Sequence, residues 1–327
     1  MDRMKAVWIE QPGGADVLQF GDRPKPEPAT GEALIKVAVA GVNYTDISQR
    51  SGSNKIPLPS VLGSEGAGTI ERSSDGFNAG DRVAWCMVRG SYAEYAVVPA
   101  KMLVRLPESV DFTTAAAAML QGMTAHYLTH STFPLKSGHT ALVHAAAGGT
   151  GRLIVQMAAM LGARVIATAS TEAKLSLARE AGAAEGVLYS REDWVNEVKK
   201  LSGGEGVDVV YDSVGQATFM KGLDCLKMRG MMVHFGQSSG PVPPLDTRVL
   251  SAKGSLYLAR PTLASHIAKP DELAWRASDV FRWIGDGTIR LRIEHEYPLA
   301  DAAGAHRDLE GRKTSGKLLL RLPNTAQ

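Results

Sequence analysis

The chain has 327 residues, with 36 Lys and Arg against 34 Asp and Glu, a formal net charge of +2 and 44% hydrophobic residues. That length exceeds the size at which one core stops growing, so two domains are expected, and the balanced charge offers no general field for nucleic acid or an anionic membrane. Only two cysteines occur, Cys86 and Cys225, too few for a disulfide framework or a four-cysteine zinc site and suited to a reducing compartment.

The first residues, Met1 to Gln11, carry charges at Asp2, Arg3, Lys5 and Glu10 and lack the apolar centre of a signal peptide. No apolar run approaches the roughly 18 residues of a membrane span, so a cytoplasmic protein is expected. Short strands broken by Gly and Pro follow at Met4–Ile9, Ala33–Ala40, Gly66–Glu71, Arg82–Cys86 and Tyr92–Val98. Long helical periodicity is absent there, and the pattern predicts an all-β, barrel-like module.

The texture changes near Asp111, where an alanine-rich stretch covers Thr113–Leu120. Strands and helices then alternate: strand Thr140–His144, helix Gly151–Leu161, strand Arg164–Thr168, helix Glu172–Ala181, a strand near Val187, and helix Glu192–Leu201. Further strands are predicted at Val207–Tyr211, Met231–Phe235 and Ser255–Leu258. This alternation is the signature of a parallel sheet covered on both faces by helices. A helix is predicted across Asp271–Ile284. The last apolar strand, Lys317–Leu322, has no partner nearby in sequence and is expected to return to the first module.

The strongest local feature is the run from Ala145 to Gly151 (AAAGGTG), which joins an apolar strand directly to an apolar-faced helix. It matches a dinucleotide fingerprint with Ala146 in place of the first glycine. Gly148 lets backbone approach a pyrophosphate, Gly151 lets the helix pack close to the strand, and amides at the helix start favour anions. A merely tight turn is the plain alternative.

An NAD-specific site presents Asp or Glu at the tip of the second strand. Here that strand ends Ala169, Ser170, Thr171 without a carboxylate, and Lys174 follows on the first helical turn. An ammonium there suits a ribose 2′-phosphate, with Tyr189 at the end of the third strand as a further donor. Lys174 as a solvated surface lysine is the alternative, and Glu172 is the opposing sign, which a favourable charge at a helix start also explains. The pattern favours NADPH.

These residues resemble a zinc-independent quinone oxidoreductase of the medium-chain dehydrogenase/reductase superfamily, the group that includes ζ-crystallin. The resemblance spans the chain. It rests on Gly41–Asp46 (GVNYTD), Arg50–Gly52 (RSG), Leu62–Gly68 (LGSEGAG), Ala79–Val83 (AGDRV) and Gly90–Glu94 (GSYAE). It continues through Ala145–Gly151, Val210–Gly215 (VYDSVG), Phe235–Gly240 (FGQSSG), Arg260–Pro261 and Gly316–Lys317.

The resemblance implies an α/β protein. A GroES-like β-barrel catalytic domain (1–123 and 264–327) is interrupted in sequence by a Rossmann doubly wound parallel-sheet domain (124–263). Zinc relatives place a Cys within the segment Gly41–Asp46 and a His before the Glu of Gly63–Glu65, whereas this chain has Asn43 and Ser64 at or near those places. A catalytic zinc needs three protein ligands, so no metal is expected.

By the same resemblance the cofactor lies along Ala147, Gly148, Gly149, Thr150 and Gly151, then Ser170, Lys174 and Tyr189. Asn43, Thr124, Val214, Phe235, Gln237, Ser238 and Lys317 complete its expected contacts. Candidate donors to substrate are Asn43, Tyr44, Arg50, Gln121 and Arg260. Each has a plainer reading, Tyr44 as barrel packing and the arginines as surface or inter-domain ion pairs. Asp46 is expected as a turn or helix cap rather than a base. Where many relatives carry tyrosines, this chain has Ser48 and Asn54.

The expected reaction is hydride transfer from NADPH to a quinone, without metal, in a homodimer whose sheet edge lies within Met231–Leu258. The alternatives are an NADPH-dependent enone or enoyl reductase on the same fold, and a non-catalytic NADPH-binding structural or RNA-binding protein. Near-neutral charge and the lack of interleaved basic and aromatic residues weigh against nucleic acid.

Overall fold

The computed structural model describes residues 2–191 and 193–323, so Glu192, the expected start of one helix, lies outside the described residues. The chain separates into two compact units, Met1–Leu120 with Ile267–Gln327, and Gln121–His266. The sequence reading placed the joins at 123/124 and 263/264.

In the first unit, Glu32–Val42 is the organising strand. Its near-continuous run of Ala, Val, Leu and Ile suits a strand buried on both faces. It pairs antiparallel with Glu65–Arg72, Tyr95–Pro99 and Lys317–Arg321. The sheet extends through Arg82–Cys86 and Val104–Arg105 on one side and Ile293–Pro298 on the other. A second sheet joins Arg3–Ile9 to Gln19–Pro24 and Ser60–Val61. Val7, Ile35, Val37, Trp85, Tyr92, Leu318 and Leu320 share one core.

The closing strand thus returns to the first module as expected, with Leu318 opposite Val42 and Leu320 opposite Ala40. It also has a near neighbour in sequence that the pattern did not reveal: Ile293–Pro298 runs parallel to it at the sheet edge. Glu294, His295 and Glu296 give that strand a polar texture, which an edge position tolerates. A short helix, Tyr44–Ser51, follows the central strand.

In the second unit six strands form one parallel sheet, in the order Glu185–Leu188, Arg164–Ala169, Thr140–Val143, Val207–Asp212, Leu226–His234, Tyr257–Ala259. Sequence order reverses at Thr140–Val143, the strand that leads into the phosphate-type turn. Such a reversal opens a crevice at the carboxyl ends of the strands, where doubly wound sheets bind ligands. Leu142, Ile166, Val187, Trp194, Val198, Val210 and Leu223 pack between this sheet and its helices.

Candidate active site

In the second unit, the turn after Thr140–Val143 leads into the helix Gly149–Met160, with Gly148 as its extended N-cap residue. The first helical amides have no partner inside the helix, so they point their N–H groups and the positive end of the dipole outward. Gly151 is fixed by packing: a Cβ there would stand 2.3 Å from the Ala145 carbonyl oxygen. Gln121 lies against the turn, since a Cβ on Gly149 would meet its side-chain oxygen at 2.1 Å. The residues therefore fit a dinucleotide pyrophosphate, and Gln121, expected as a substrate donor, stands beside that turn.

The second strand, Arg164–Ala169, delivers Ser170 and Thr171 at its tip. Thr171 caps the helix Glu172–Glu180, its Oγ1 accepting the Lys174 amide at 3.3 Å. That cap places Lys174 on the first turn, half-buried. The Tyr189 amide donates to the Ala169 carbonyl at 3.2 Å, which brings Tyr189 beside the same strand end. Ser170, Lys174 and Tyr189 thus lie along the chain at one strand end, and the tip residues Ala169, Ser170 and Thr171 include no carboxylate.

Asp212 organises the next loop. Its Oδ1 accepts the amides of Val214 (2.7 Å) and Gly215 (3.0 Å) and the Thr218 hydroxyl (2.9 Å). The Phe235 amide donates to the Asp212 carbonyl at 2.9 Å and the Ser238 amide to Ser213 at 3.1 Å. Val214, Phe235, Gln237 and Ser238 are thereby held in two adjoining loops at the carboxyl edge. Thr124 is buried on the helix Phe112–Tyr127, and Arg260 is exposed just after the edge strand.

In the first unit, Asn43, Glu65 and Lys317 form a buried cluster. Lys317 Nζ donates to Asn43 Oδ1 (2.8 Å) and to Glu65 Oε2 (2.5 Å), and Asn43 Nδ2 donates to the same carboxylate oxygen at 2.8 Å. Glu65 Oε1 accepts the Leu120 amide at 2.6 Å. Three neighbouring strand ends supply these groups: Asn43 follows Glu32–Val42, Glu65 opens its strand, and Lys317 opens the returning one. Gly41 makes room, because a Cβ there would lie 2.3 Å from Glu65 Oε2. Among the described residues, no group of three or more His, Cys, Asp and Glu is placed to hold a metal ion.

Arg50 and Tyr44 lie elsewhere in this unit. Arg50 is buried, and its guanidinium donates to the Gly13 carbonyl (3.2 Å) and in a fork to Glu310 (2.6 and 3.0 Å). Those bonds make it an organiser of the fold rather than a donor to a small molecule. Tyr44 is half-buried, and burial raises its hydroxyl above the usual range against the opposing pull of Arg312. Ser48 turns its hydroxyl back to the Tyr44 carbonyl at 3.0 Å. Sequence reasoning did not place Glu65 in the site. Its Lys317 partner lies 252 residues away, and no local pattern carries a contact of that span.

A barrel-type module interrupted by a doubly wound domain, with a glycine turn at the sheet's point of reversal, defines a medium-chain dehydrogenase/reductase. The models of the alcohol dehydrogenase GroES-like domain and of zinc-binding dehydrogenase match residues 29–108 and 149–268. A quinone oxidoreductase of Pseudomonas aeruginosa is 43% identical over 97% of this chain and 99% of its own length. The structure of the Escherichia coli quinone oxidoreductase complexed with NADPH superposes with a TM-score of 0.95 at 38% identity, covering 97% of this chain and 99% of that one. A 2-haloacrylate reductase of a Burkholderia species is 36% identical over 96% of this chain and 98% of its own length. The chain belongs to the quinone oxidoreductase family.

Proposed function

We propose that this protein transfers hydride from NADPH to a quinone, without a metal ion. The observation that carries the reading is the second strand tip: no carboxylate, Lys174 on the capped first turn, and Tyr189 drawn beside it. A carboxylate there would repel a 2′-phosphate, whereas an ammonium binds it with a charge-assisted hydrogen bond. The NADPH complex of the Escherichia coli relative supports the same cofactor.

Bound NADPH supplies the hydride. The amides of the Gly149–Met160 helix start hold the pyrophosphate, Lys174 with Ser170 and Tyr189 holds the phosphorylated ribose, and the Val214 and Phe235–Ser238 loops hold the nicotinamide half. The hydrogen bonds among Asn43, Glu65 and Lys317 hold these three side chains in one arrangement before any substrate arrives. Ser48 donates to the Tyr44 carbonyl of its own helix, which favours water over this hydroxyl as the proton source in this reading.

A quinone suits protonation by water at oxygen. The similarity to a 2-haloacrylate reductase favours reduction of an activated carbon–carbon double bond as a second reading. Oxidation of NADPH and NADH by the purified protein, followed by nicotinamide absorbance against benzoquinones, phenanthrenequinone and simple enones, separates the two. Turnover with NADPH and quinones, unchanged by a chelator, supports the first reading. Preference for enones supports the second, and tight NADPH binding without turnover removes both.

A homodimer is part of the proposal. The strand Tyr257–Ala259 ends the six-stranded sheet, and Tyr257, Leu258 and Met228 are exposed there, an edge suited to pairing with a second copy. Cys86 and Cys225 are free and buried, which suits a cytoplasmic location. No helix among the described residues is long and apolar enough to cross a membrane.

A further inference from the structure

Asp46 sits on the first turn of the helix Tyr44–Ser51 and is fully buried. Its Oδ2 accepts the Asn43 amide at 2.9 Å and the Tyr92 hydroxyl at 3.2 Å. Tyr92 Oη lies 3.2 Å from His306 Nε2, and His306 Nδ1 lies 3.3 Å from an Arg50 nitrogen. Arg50 is in turn held by Glu310, whose carboxylate reaches solvent. Tyr92, His306 and Arg50 are all buried, so a continuous chain of polar groups runs from the helix start to the surface.

Chemistry fixes the direction of this chain. Arginine only donates, so His306 Nδ1 is an acceptor and its proton sits on Nε2. Nε2–H then donates to Tyr92 Oη, and the tyrosine hydroxyl is left to donate to Asp46. The chain is not a proton path, because Arg50 stays protonated and cannot pass a proton on. Burial, with the neighbouring Arg50 charge, pushes His306 down to about 3, so it stays neutral. What remains is a brace of fixed polarity with one end on a carboxylate.

We propose that Asp46 is a positioning residue, whose carboxylate, aimed by the Arg50–His306–Tyr92 chain, holds Asn43 and through it the Lys317–Glu65 pair in place for hydride transfer. The role rests on the reading of the protein as an NADPH-dependent reductase. The groups facing Asp46 are Asn43 on its own turn, Ser64 and Glu65, Tyr92 backed by Arg50 and His306, and Lys317. Burial pushes its carboxyl up to about 6, with the Ser64 hydroxyl, the Asn43 amide and Lys317 pulling the other way. Protonation removes the negative charge that holds the Asn43 amide and the Tyr92 hydroxyl together.

The test is the pH profile of kcat for NADPH oxidation by a quinone in wild type, Tyr92→Phe and Asp46→Asn, with the 15N spectrum of His306 in wild type. Wild-type kcat is expected to fall on the acid side. Tyr92→Phe removes a donor to the carboxylate, along with the acceptor for His306 Nε2–H, so its acid limb moves to higher pH. Asp46→Asn loses the limb, and its kcat drops on the order of ten- to a hundredfold while KM for NADPH holds.

An acid limb that stays in place in Tyr92→Phe overturns the proposal, and so does an equal rise in KM for NADPH in Asp46→Asn. If Asp46→Asn does not fold, Tyr92→Phe decides alone. The His306 spectrum is expected to show a neutral ring protonated on Nε2 down to pH 5, and a proton on Nδ1 overturns the direction of the chain. Absence of turnover in wild type defeats the reductase reading and the positioning role, while the His306 spectrum still reports on the brace.

Discussion

The ammonium of Lys317 donates to the carboxylate of Glu65 at 2.5 Å with neither side chain reaching water. Breaking such a pair by removing one partner strands a charge in the interior and is strongly destabilising. Lys317→Ala is expected to lower unfolding free energy by about 3–5 kcal/mol. Lys317→Met with Glu65→Gln, which leaves no buried charge, is expected to recover much of that loss. Urea unfolding of the three proteins decides it, and a loss below about 1 kcal/mol for the single variant would show that the pair is hydrated.

Gly151→Ala pushes a methyl into the Ala145 carbonyl, where 2.3 Å is available. The helix start must move away from the strand, and the amides move with it. NADPH affinity is expected to fall about tenfold or more, equivalent to about 1.4 kcal/mol. Nucleotide fluorescence titration reads the change, and wild-type affinity in this variant would separate the turn from the pyrophosphate.

Lys174 lies on the capped first turn at the second strand tip. Lys174→Ala is expected to weaken NADPH by roughly 1.5–3 kcal/mol, about ten- to a hundredfold, with little change for NADH. Equal loss for both nucleotides would rule out contact with a 2′-phosphate.

His306 and Asp46 carry opposite stability slopes in acid. His306 has a folded value near 3 against an ordinary 6.5, so the unfolded chain takes up a proton that the folded one refuses, and stability is lost as pH falls through that window. Asp46 has a folded value of about 6 against 3.8, so its contribution is fully present below 3.8 and is lost as pH rises toward 6. Between about pH 4 and 6 the two nearly cancel. His306→Gln removes the first slope only, so this variant is expected to gain stability as pH falls from 6 to 4.5, by at most about 1.4 kcal/mol per pH unit relative to wild type. Chemical denaturation at three pH values tests this, and parallel curves for wild type and variant would place His306 protonated in the fold.

Much of this molecule is legible in its sequence. The alternation of apolar strands and helices after Asp111 specified the parallel sheet, because each element carries its own period and each glycine turn its own conformation. The Ala145–Gly151 run and the bare strand tip at Ser170 specified the cofactor end for the same reason: a strand, a turn and a helix start that are contiguous in sequence are contiguous in space.

The polar strand Ile293–Pro298 escaped notice because an edge position asks for little apolar character. Gln121 and Arg50 carried the right chemistry for donors, but only folding showed one beside Gly149 and the other clasped by Glu310.

The sequence by itself therefore determined what is local: a β-rich module, a doubly wound domain, a phosphate turn, and a preference for the phosphorylated cofactor. Tertiary structure decided what is distant. It set Lys317 on Glu65 across 252 residues and joined Arg50 to His306 across 256. Hydrogen bonds of that span follow from sheet register and strand order, which the one-dimensional pattern of polar and apolar residues does not encode.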